Sequence, residues 1–565
     1  MNVVLSLLIA ALTWYPAPDW RDTPDPYADP NARKGGIIRF NGSQPPKCFN
    51  GYIDNNTYTK MTFDLMYEYL IGVDTETLEF TPSLARRWAV SEDGEEFRFE
   101  IDPRARWSDG AEITAEDVKW TFDQVMDRKN DTGAWKVILG VFDSPEILDK
   151  YTVRFRKKPG SVKDWRDIMH CGMFWIMPKH VFDGKDFNKL DLLNAPVGGP
   201  YRLSRVVEQV ETEFARVENW WRKDFPSCRN VCNFDRILLR YFMDNENAFE
   251  ALKKRKIDVY PVYTARIMAN ETHGEKFDKN WILKRRVYNY NPIGFQGFAM
   301  NMRRKPFDDI RVRKAMAHLI DRETMNRTMM YNEYFLLNSY FSDLYDKSDP
   351  CRNYFYEYDV EKAKALLKEA GYENGFEFTF LSRAPSEDKF LTLFNHALSQ
   401  CNIKMHIDRK DFAGWMRDMD GFNFDMTWQS WGAVLFKNPE TMFLSSEADR
   451  KGSNNTVAFK NAEVDEIIAA EKSFQHMNER NAAYRKIDTL VAAECPYALL
   501  WQTDSTRLLY WNKFGMPKKI LSKYSDETSI FTYWWYDEDR ARELKDAMNT
   551  GSCLPNVPEV VDGRL

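Results

Sequence analysis

The chain has 565 residues, 44% of them hydrophobic and 15% aromatic, with 79 Lys and Arg against 85 Asp and Glu, a formal net charge of -6. That length exceeds a single hydrophobic core of ordinary size, so two or three domains are expected. The mild acidity leaves no basic footprint for nucleic acid, and 18 Trp give an excess of the broad, half-polar rings that a large ligand cleft uses.

The chain opens on an apolar run at 3–12 (VVLSLLIAAL), too short to span a bilayer and of the length of a signal-peptide core. No Lys or Arg precedes it, Ala11-Leu12-Thr13 is the small-residue pattern nearby, and no Cys follows to carry a lipid. Residues 1–13 are therefore read as a signal-like segment. Residues 14–34, with Pro16, Pro18, Pro24, Pro26 and Pro30, are read as an extended Pro/Asp-rich tether. Export would place the protein in the periplasm or another extracytoplasmic compartment, where a soluble protein and a monomer are expected. Eight Cys suit an oxidising compartment. Cys228 and Cys232 are candidates for a disulfide closing a small loop, while Cys48, Cys171, Cys351, Cys401, Cys495 and Cys553 could pair in many ways. There is no CxxC and the seven His show no ligand spacing; His396, Cys401 and His406, though near one another, are not read as a metal site, and no metal or cofactor is expected.

The fold should begin at Gly35-Gly36, with a strand over 37–40 and a helix over 57–71 (TYTKMTFDLMYEYLI). The intervening loop, 41–56, is rich in Gly, Pro, Asn and aromatics. Loops between a strand and a helix are where binding residues concentrate, which makes Phe49, Asn50 and Tyr52 candidates. In 84–123, Phe97, Phe99 and Ile101 alternate with Arg98 and Glu100 as in a half-buried strand. Asp93-Gly94 and Trp107-Ser108-Asp109-Gly110 mark turns, and Thr114 with Asp117 three residues on has the form of a capping box. Strands follow at 151–156 and 237–242, and 245–258 contains a helix. Pro196-Val197-Gly198-Gly199-Pro200-Tyr201 is a turn and no phosphate cradle, since no Lys-Ser/Thr follows it.

A strand at 295–302 then enters a helix within 306–325, where Val312, Ala315, Met316, Leu319 and Ile320 form one stripe, Asp308 and Asp309 are candidate N-caps, and Arg311, Lys314 and His318 take the other side. Residues 359–371 are a helix with an Asp cap and a Gly stop. Strands are expected at 376–380, 404–408 and 424–426, and 463–489 is read as helical throughout. No GxSxG, HExxH or Walker loop occurs, and no internal repeat is evident.

The stretch FAMNMRRKPFDDIRVRKAMAHLIDRETM (298–325), together with LARRWAVSEDGEEFRFEIDPRARWSDGAEITAEDVKWTFD (84–123), resembles the family 5 extracellular solute-binding proteins, the oligopeptide, dipeptide and nickel receptors of ABC importers. MNRTMMY (325–331), NSYFS (338–342), FDM (424–426), GSNN (452–455) and YWNKFG (510–515) are similar to the Yej-type branch, which feeds importers of oligopeptides and peptide antibiotics. The resemblance runs from about 35 to 535. It implies an α/β fold of two lobes, periplasmic-binding-protein-like (type II, cluster C), with an extra small α/β subdomain. On that reading 35–74, 195–290 and 504–545 form a discontinuous first lobe, 75–194 the subdomain, 291–503 the second lobe and 546–565 a tail.

The resemblance further implies a receptor without catalysis that captures an oligopeptide or peptide-like solute between two closing lobes and delivers it to the importer's permease. Trp428, Gln429, Ser430 and Trp431 stand where the resembling receptors contact ligand, and Trp501, Gln502 and Asp504 where the chain should cross back between lobes. One departure stands out. Peptide receptors of this family hold the α-amino group with an Asp shortly after the tryptophan, whereas here Trp431 is followed by Gly432-Ala433-Val434-Leu435-Phe436 and no carboxylate precedes Glu440. Either Glu440 or another acid serves, or the solute lacks a free amine at that point. The alternatives are a carbohydrate, metal-chelate or cell-wall-fragment cargo on the same fold, a signalling or chaperone-like receptor, or a secreted hydrolase.

Overall fold

The computed structural model describes residues 12–16, 23–42, 45–54, 56–242, 244–345, 351, 353, 356–474 and 476–564. The chain divides into two compact units: one of Met1–Thr264, Thr272–Asn289 and Thr506–Leu565, the other of Ala265–Glu271 and Tyr290–Ser505.

In the first unit eight strands form one mixed sheet, in the order Val560–Asp562, Ile282–Tyr288, Thr506–Trp511, Val259–Pro261, Ile37–Asn41, Arg236–Arg240, Glu211–Arg216 and Tyr201–Val207. Ile37–Asn41 lies parallel to both of its neighbours, and Glu211–Arg216 and Tyr201–Val207 at one edge form an antiparallel hairpin. The end of the chain, expected to be a tail, is instead part of this sheet. Glu538–Thr550 is a helix closed by Gly551 at φ +70, and Val560–Asp562 pairs in parallel with Arg286–Tyr288. Glu559 holds that register through Arg286 at 2.7 Å and Lys284 at 3.4 Å. A three-residue strand in a Pro-rich run carries no pattern of its own, and its pairing depends on a partner strand far away in sequence.

The same unit contains a second, all-antiparallel sheet in the order Leu12–Tyr15, Ala85–Ser91, Glu96–Ile101, Thr152–Arg156 and Glu146–Asp149. The expected alternation is present, with Phe97, Phe99 and Ile101 buried and the intervening residues half-buried. Gly94 at φ +71 makes the turn into this strand, a conformation that costs a residue with a Cβ. Thr114 and Asp117 form a capping box on the helix Ala115–Met126. Of the signal-like segment, residues 1–11 lie outside the described residues. Leu12–Tyr15, which straddles the expected boundary between signal and tether, is an edge strand paired with Trp88–Ser91. The helix expected over 57–71 stops at Met66: Tyr67 is already extended, and the chain continues into a short strand at Ile71–Val73.

The second unit is built on a five-stranded sheet in the order Lys404–Arg409, Glu377–Ser382, Met426–Trp431, Phe295–Met300 and Tyr497–Leu499. The first three strands run parallel; Phe295–Met300 is antiparallel to both of its neighbours. Helices cover it, led by Ile310–His318, whose N-cap Asp309 accepts from the Arg311 N–H. Val312, Ala315 and Met316 are buried as the stripe requires. Two readings of this region change. The helix ends at Leu319, and a second begins at Arg322 under its own cap, Asp321. His318, expected on the polar side, is 3% exposed, with Nδ1 2.7 Å from the Glu357 carbonyl. The helix expected over 463–489 is likewise two, Ala462–Glu471 and Met477–Glu494, the second opened by a capping box of His476 and Glu479. A local cap that satisfies free N–H groups restarts a helix where apolar periodicity alone runs on.

Candidate functional site

The binding loop expected in the first unit proves to be structural. Asn50 is 1% exposed; its Nδ2 donates to the Phe187 carbonyl at 2.9 Å and its Oδ1 accepts from the Tyr52 N–H at 3.0 Å. The Tyr52 hydroxyl donates to the Trp175 carbonyl at 2.5 Å, and its ring packs among Phe63, Trp135, Trp175 and Phe187. Phe49 is half-buried against the same core. The loop is thus fastened by Asn50 and Tyr52, whose polar atoms are satisfied internally, and neither side chain is available to a solute.

The strand Met426–Trp431 behaves differently. Alternate side chains leave opposite faces of a sheet. On one face Trp428 packs edge-on against Phe298, Phe390 and Trp501 and donates Nε1–H to Gln296 Oε1 at 3.0 Å; the exposed Ser430 donates to the same oxygen at 3.3 Å. Gln296 stands opposite Ser430 in the antiparallel register, and its Nε2 donates to the Trp501 carbonyl at 2.8 Å. On the other face the buried Gln429 accepts from Thr456 at 2.9 Å and from Tyr497 at 3.2 Å, and the Tyr497 hydroxyl accepts in turn from Trp431 Nε1 at 3.2 Å. Burial pushes the Tyr497 phenol up to about 12, so it remains a neutral donor and acceptor. The result is one strand end where two half-buried indoles, a hydroxyl and a primary amide are held by a sheet and by interlocking hydrogen bonds. The strand end thus offers an indole with neutral hydrogen-bonding groups on each of its two faces, without a net charge. Gly294 lets the chain pass close by: a Cβ there would lie 2.1 Å from the Trp431 carbonyl oxygen.

Of the remaining candidates, Trp501 is 1% exposed and forms the floor beneath Trp428. Gln502 turns its Oε1 back to the Thr503 N–H at 3.0 Å, and Asp504 is half-buried at the end of the unit. Glu440 is tied to Lys472 at 2.6 Å, and Lys437 in the same segment is buried against Asp343. Cys228 and Cys232 are buried free thiols, so the disulfide expected of them is not formed; burial pushes the Cys232 thiol up to about 12. Among the described residues no group of His, Cys, Asp and Glu is arranged to hold a metal, and no helix is long and apolar enough to cross a membrane.

Sequence reasoning missed Gln296, Thr456 and Tyr497, which only the register brings to Trp428–Trp431. It also missed an acid–aromatic cluster in the first unit. Asp64 accepts from Trp175 Nε1 at 2.8 Å and from the Tyr69 hydroxyl, and surrounding protein pushes its carboxyl up to about 6 against those hydrogen bonds. Tyr263, 54% exposed, donates to Glu527, whose pKa is raised first by burial and then by the neighbouring Asp526 carboxylate. A lone Asp in a helix and a Glu in a short turn carry no signal that would have singled them out.

Comparison with known proteins places these features. The family model for bacterial extracellular solute-binding proteins, family 5, matches residues 79–454, more than half of the chain. The chain is 26% identical over 577 residues to the uncharacterised protein YejA of Escherichia coli (strain K12), covering 93% of this chain and 92% of that one. It is 25% identical over 552 residues to the peptidoglycan-binding protein YepA of Agrobacterium fabrum (strain C58), covering 87% and 89%. Among solved structures it resembles the periplasmic binding protein DppA of Helicobacter pylori in complex with the peptide STSA, with a TM-score of 0.71, 19% identity, and coverage of 90% of this chain and 99% of that one. The fold is accordingly that of the type II periplasmic binding proteins, as the sequence led us to expect. With the family model spanning both the 84–123 stretch and the strand that ends at Trp431, the chain belongs to the family 5 bacterial extracellular solute-binding proteins.

Proposed function

We propose that this protein is the exported, monomeric solute receptor of an ABC importer, and that it captures an oligopeptide or peptide-like solute and delivers it to the permease. The observation that carries the reading is the end of the strand Met426–Trp431, where Trp428, Ser430 and Trp431 with Gln296 present aromatic area and neutral hydrogen-bonding groups on a rigid scaffold. Amide and hydroxyl groups beside stacking rings suit a peptide backbone with tolerance for its side chains. The Ser430 hydroxyl donates to an amide oxygen and not to a base that could activate it, so we read binding and not catalysis. DppA binds a peptide on this fold, which supports the class of cargo.

A second reading is a cell-wall fragment. The name of YepA, peptidoglycan-binding, favours it, as does the absence of a carboxylate between Trp431 and Glu440. Both readings are tested together by native mass spectrometry of the full chain purified under mild conditions, followed by fragmentation of what it releases. We expect a heterogeneous set of short peptides. A sugar-bearing peptide would establish the second reading, and a single non-peptide species would overturn both. If the protein emerges empty, thermal-shift screening against peptides and muropeptides decides between them.

A further inference from the structure

From the outer face of the five-stranded antiparallel sheet in the first unit, we infer a second binding site, one for a small oxyanion carried on an aromatic or apolar body. Every residue it uses lies in that unit, and it does not depend on the solute reading above. Residues paired across neighbouring strands share a face. In one row stand Trp14, Ala89, Arg98 and Arg154, and in the next Arg87, Glu100 and Thr152. The register shifts between Ala85 and Arg87, a bulge that turns Arg86 as well as Arg87 toward solvent, with side chains 47% and 49% exposed. Around them is an open cavity of about 430 Å³, lined by Arg86, Arg87, Arg98 and Glu100, with Trp14 and Tyr151 among its walls.

An ordinary ion-pair ladder leaves two features of this face unexplained. Arg98 stands directly opposite Arg154, a like-charge pair that costs a sheet stability. Arg86 and Arg87 share one carboxylate, Glu100, which receives Arg86 on one oxygen and Arg87 on the other. Arg98 donates Nε–H to Glu96, and among the described residues the terminal nitrogens of Arg87 and Arg98 make no hydrogen bond. The remaining acid of the lining, Asp149, is held in its own turn by the Tyr151 N–H at 2.9 Å and the Thr152 N–H at 3.0 Å. Three guanidinium groups thus meet two carboxylates, in a chain whose net charge is -6. A free guanidinium fork matches the paired oxygens of a carboxylate or a phosphate. The Arg87 guanidinium lies 4.5 Å from the centre of the Trp14 ring, which is 36% exposed, so an indole stands beside the fork to take a planar or apolar body. A soluble aryl or alkyl anion and the headgroup of an anionic lipid share this chemistry.

The test is calorimetry of the full-length protein at low salt with phenyl phosphate and with benzoate, set beside phenol and inorganic phosphate, which each lack one half of the ligand. At least one of the two complete probes should bind saturably and more tightly than either control. Arg87→Gln and Arg98→Gln should each weaken that binding about tenfold or more, the scale of one lost charge-assisted hydrogen bond. Glu100→Gln releases Arg86 and Arg87 from their shared carboxylate and should tighten binding about threefold, the scale of an exposed ion pair. That change of sign is one that a merely structural ladder would not produce, and a folded Glu100→Gln protein that binds less tightly counts against the site. If neither soluble probe binds but the protein sediments with phosphatidylglycerol vesicles, and Arg87→Gln abolishes this, the oxyanion is that of a lipid headgroup. No binding to probes or vesicles, or binding that both arginine variants leave unchanged, overturns the inference. The solute released in native mass spectrometry is the same in either case, so failure here leaves the receptor reading standing.

Discussion

Asn50 with Tyr52 in the first unit and Gln429 with Trp431 in the second are similar pairs, an amide beside an aromatic ring, and both lie in stretches that look suited to binding. Their surroundings separate them. The first pair is closed on all sides: Asn50 and Tyr52 find their partners in the carbonyls of Phe187 and Trp175, and four aromatic rings surround Tyr52. The second pair closes only inward. Gln429 locks onto Thr456 and Tyr497, while Trp431 keeps part of its ring open and Ser430 beside it stays exposed. Residue type selects candidates, and the number of sides already covered decides which of them can meet a solute.

The largest effect that would break this contrast is on stability in the first unit. Tyr52→Ala removes a buried ring and a buried hydrogen bond, so about 3–5 kcal/mol should be lost in chemical denaturation, with affinity unchanged in the fraction that remains folded. A loss of affinity out of proportion to unfolding would return Tyr52 to the binding surface. Trp431→Ala should show the reverse balance. As a half-buried aromatic anchor it should cost about 2 kcal/mol or more in binding, measured by calorimetry with whichever solute native mass spectrometry identifies, and leave the sheet folded because Gln429 retains Thr456 and Tyr497. Asn50→Ala comes next, at about 1–3 kcal/mol of stability, because the Phe187 carbonyl and the Tyr52 N–H would lose their partner inside the core. An unaltered denaturation midpoint would mean that water replaces the amide and the loop is open after all.

The contrast also marks how far the sequence could be read. Features that repeat locally were legible: the alternation of Phe97, Phe99 and Ile101, the capping box of Thr114 and Asp117, the apolar stripe of Val312, Ala315 and Met316 with its Asp309 cap. The segment Trp428–Trp431 was singled out by a family resemblance, and what the structure adds is the strand on which it stands. What failed depended on contacts distant in sequence or on competing local caps. Asp321 and His476 restart helices that the hydrophobic period would have continued. Val560–Asp562 is a strand only because Arg286–Tyr288 lies beside it. Gln296 matters because antiparallel register sets it opposite Ser430, a relation that no window of sequence contains.

The smallest effect tests the acid–aromatic cluster, where chemistry rather than burial alone sets the outcome. Asp64 is exposed at its surface yet crowded enough that desolvation pushes its carboxyl from the ordinary 3.8 to about 6, against the hydrogen bonds from Tyr69 and Trp175. Between about pH 4 and about pH 6 the folded chain keeps a proton that the unfolded chain has released, so stability falls as pH rises through that window, and the loss is complete above it. Asp64→Asn retains an acceptor for Trp175 and Tyr69 but cannot ionise. Its stability relative to the parent should therefore climb from about pH 4 to about pH 6 and then level off, modestly, because solvent and salt screen an exposed charge. A difference that stays flat across that range would show the carboxyl titrating as it does in water, and the cluster would then be open to solvent like Ser430 and not crowded like Tyr52.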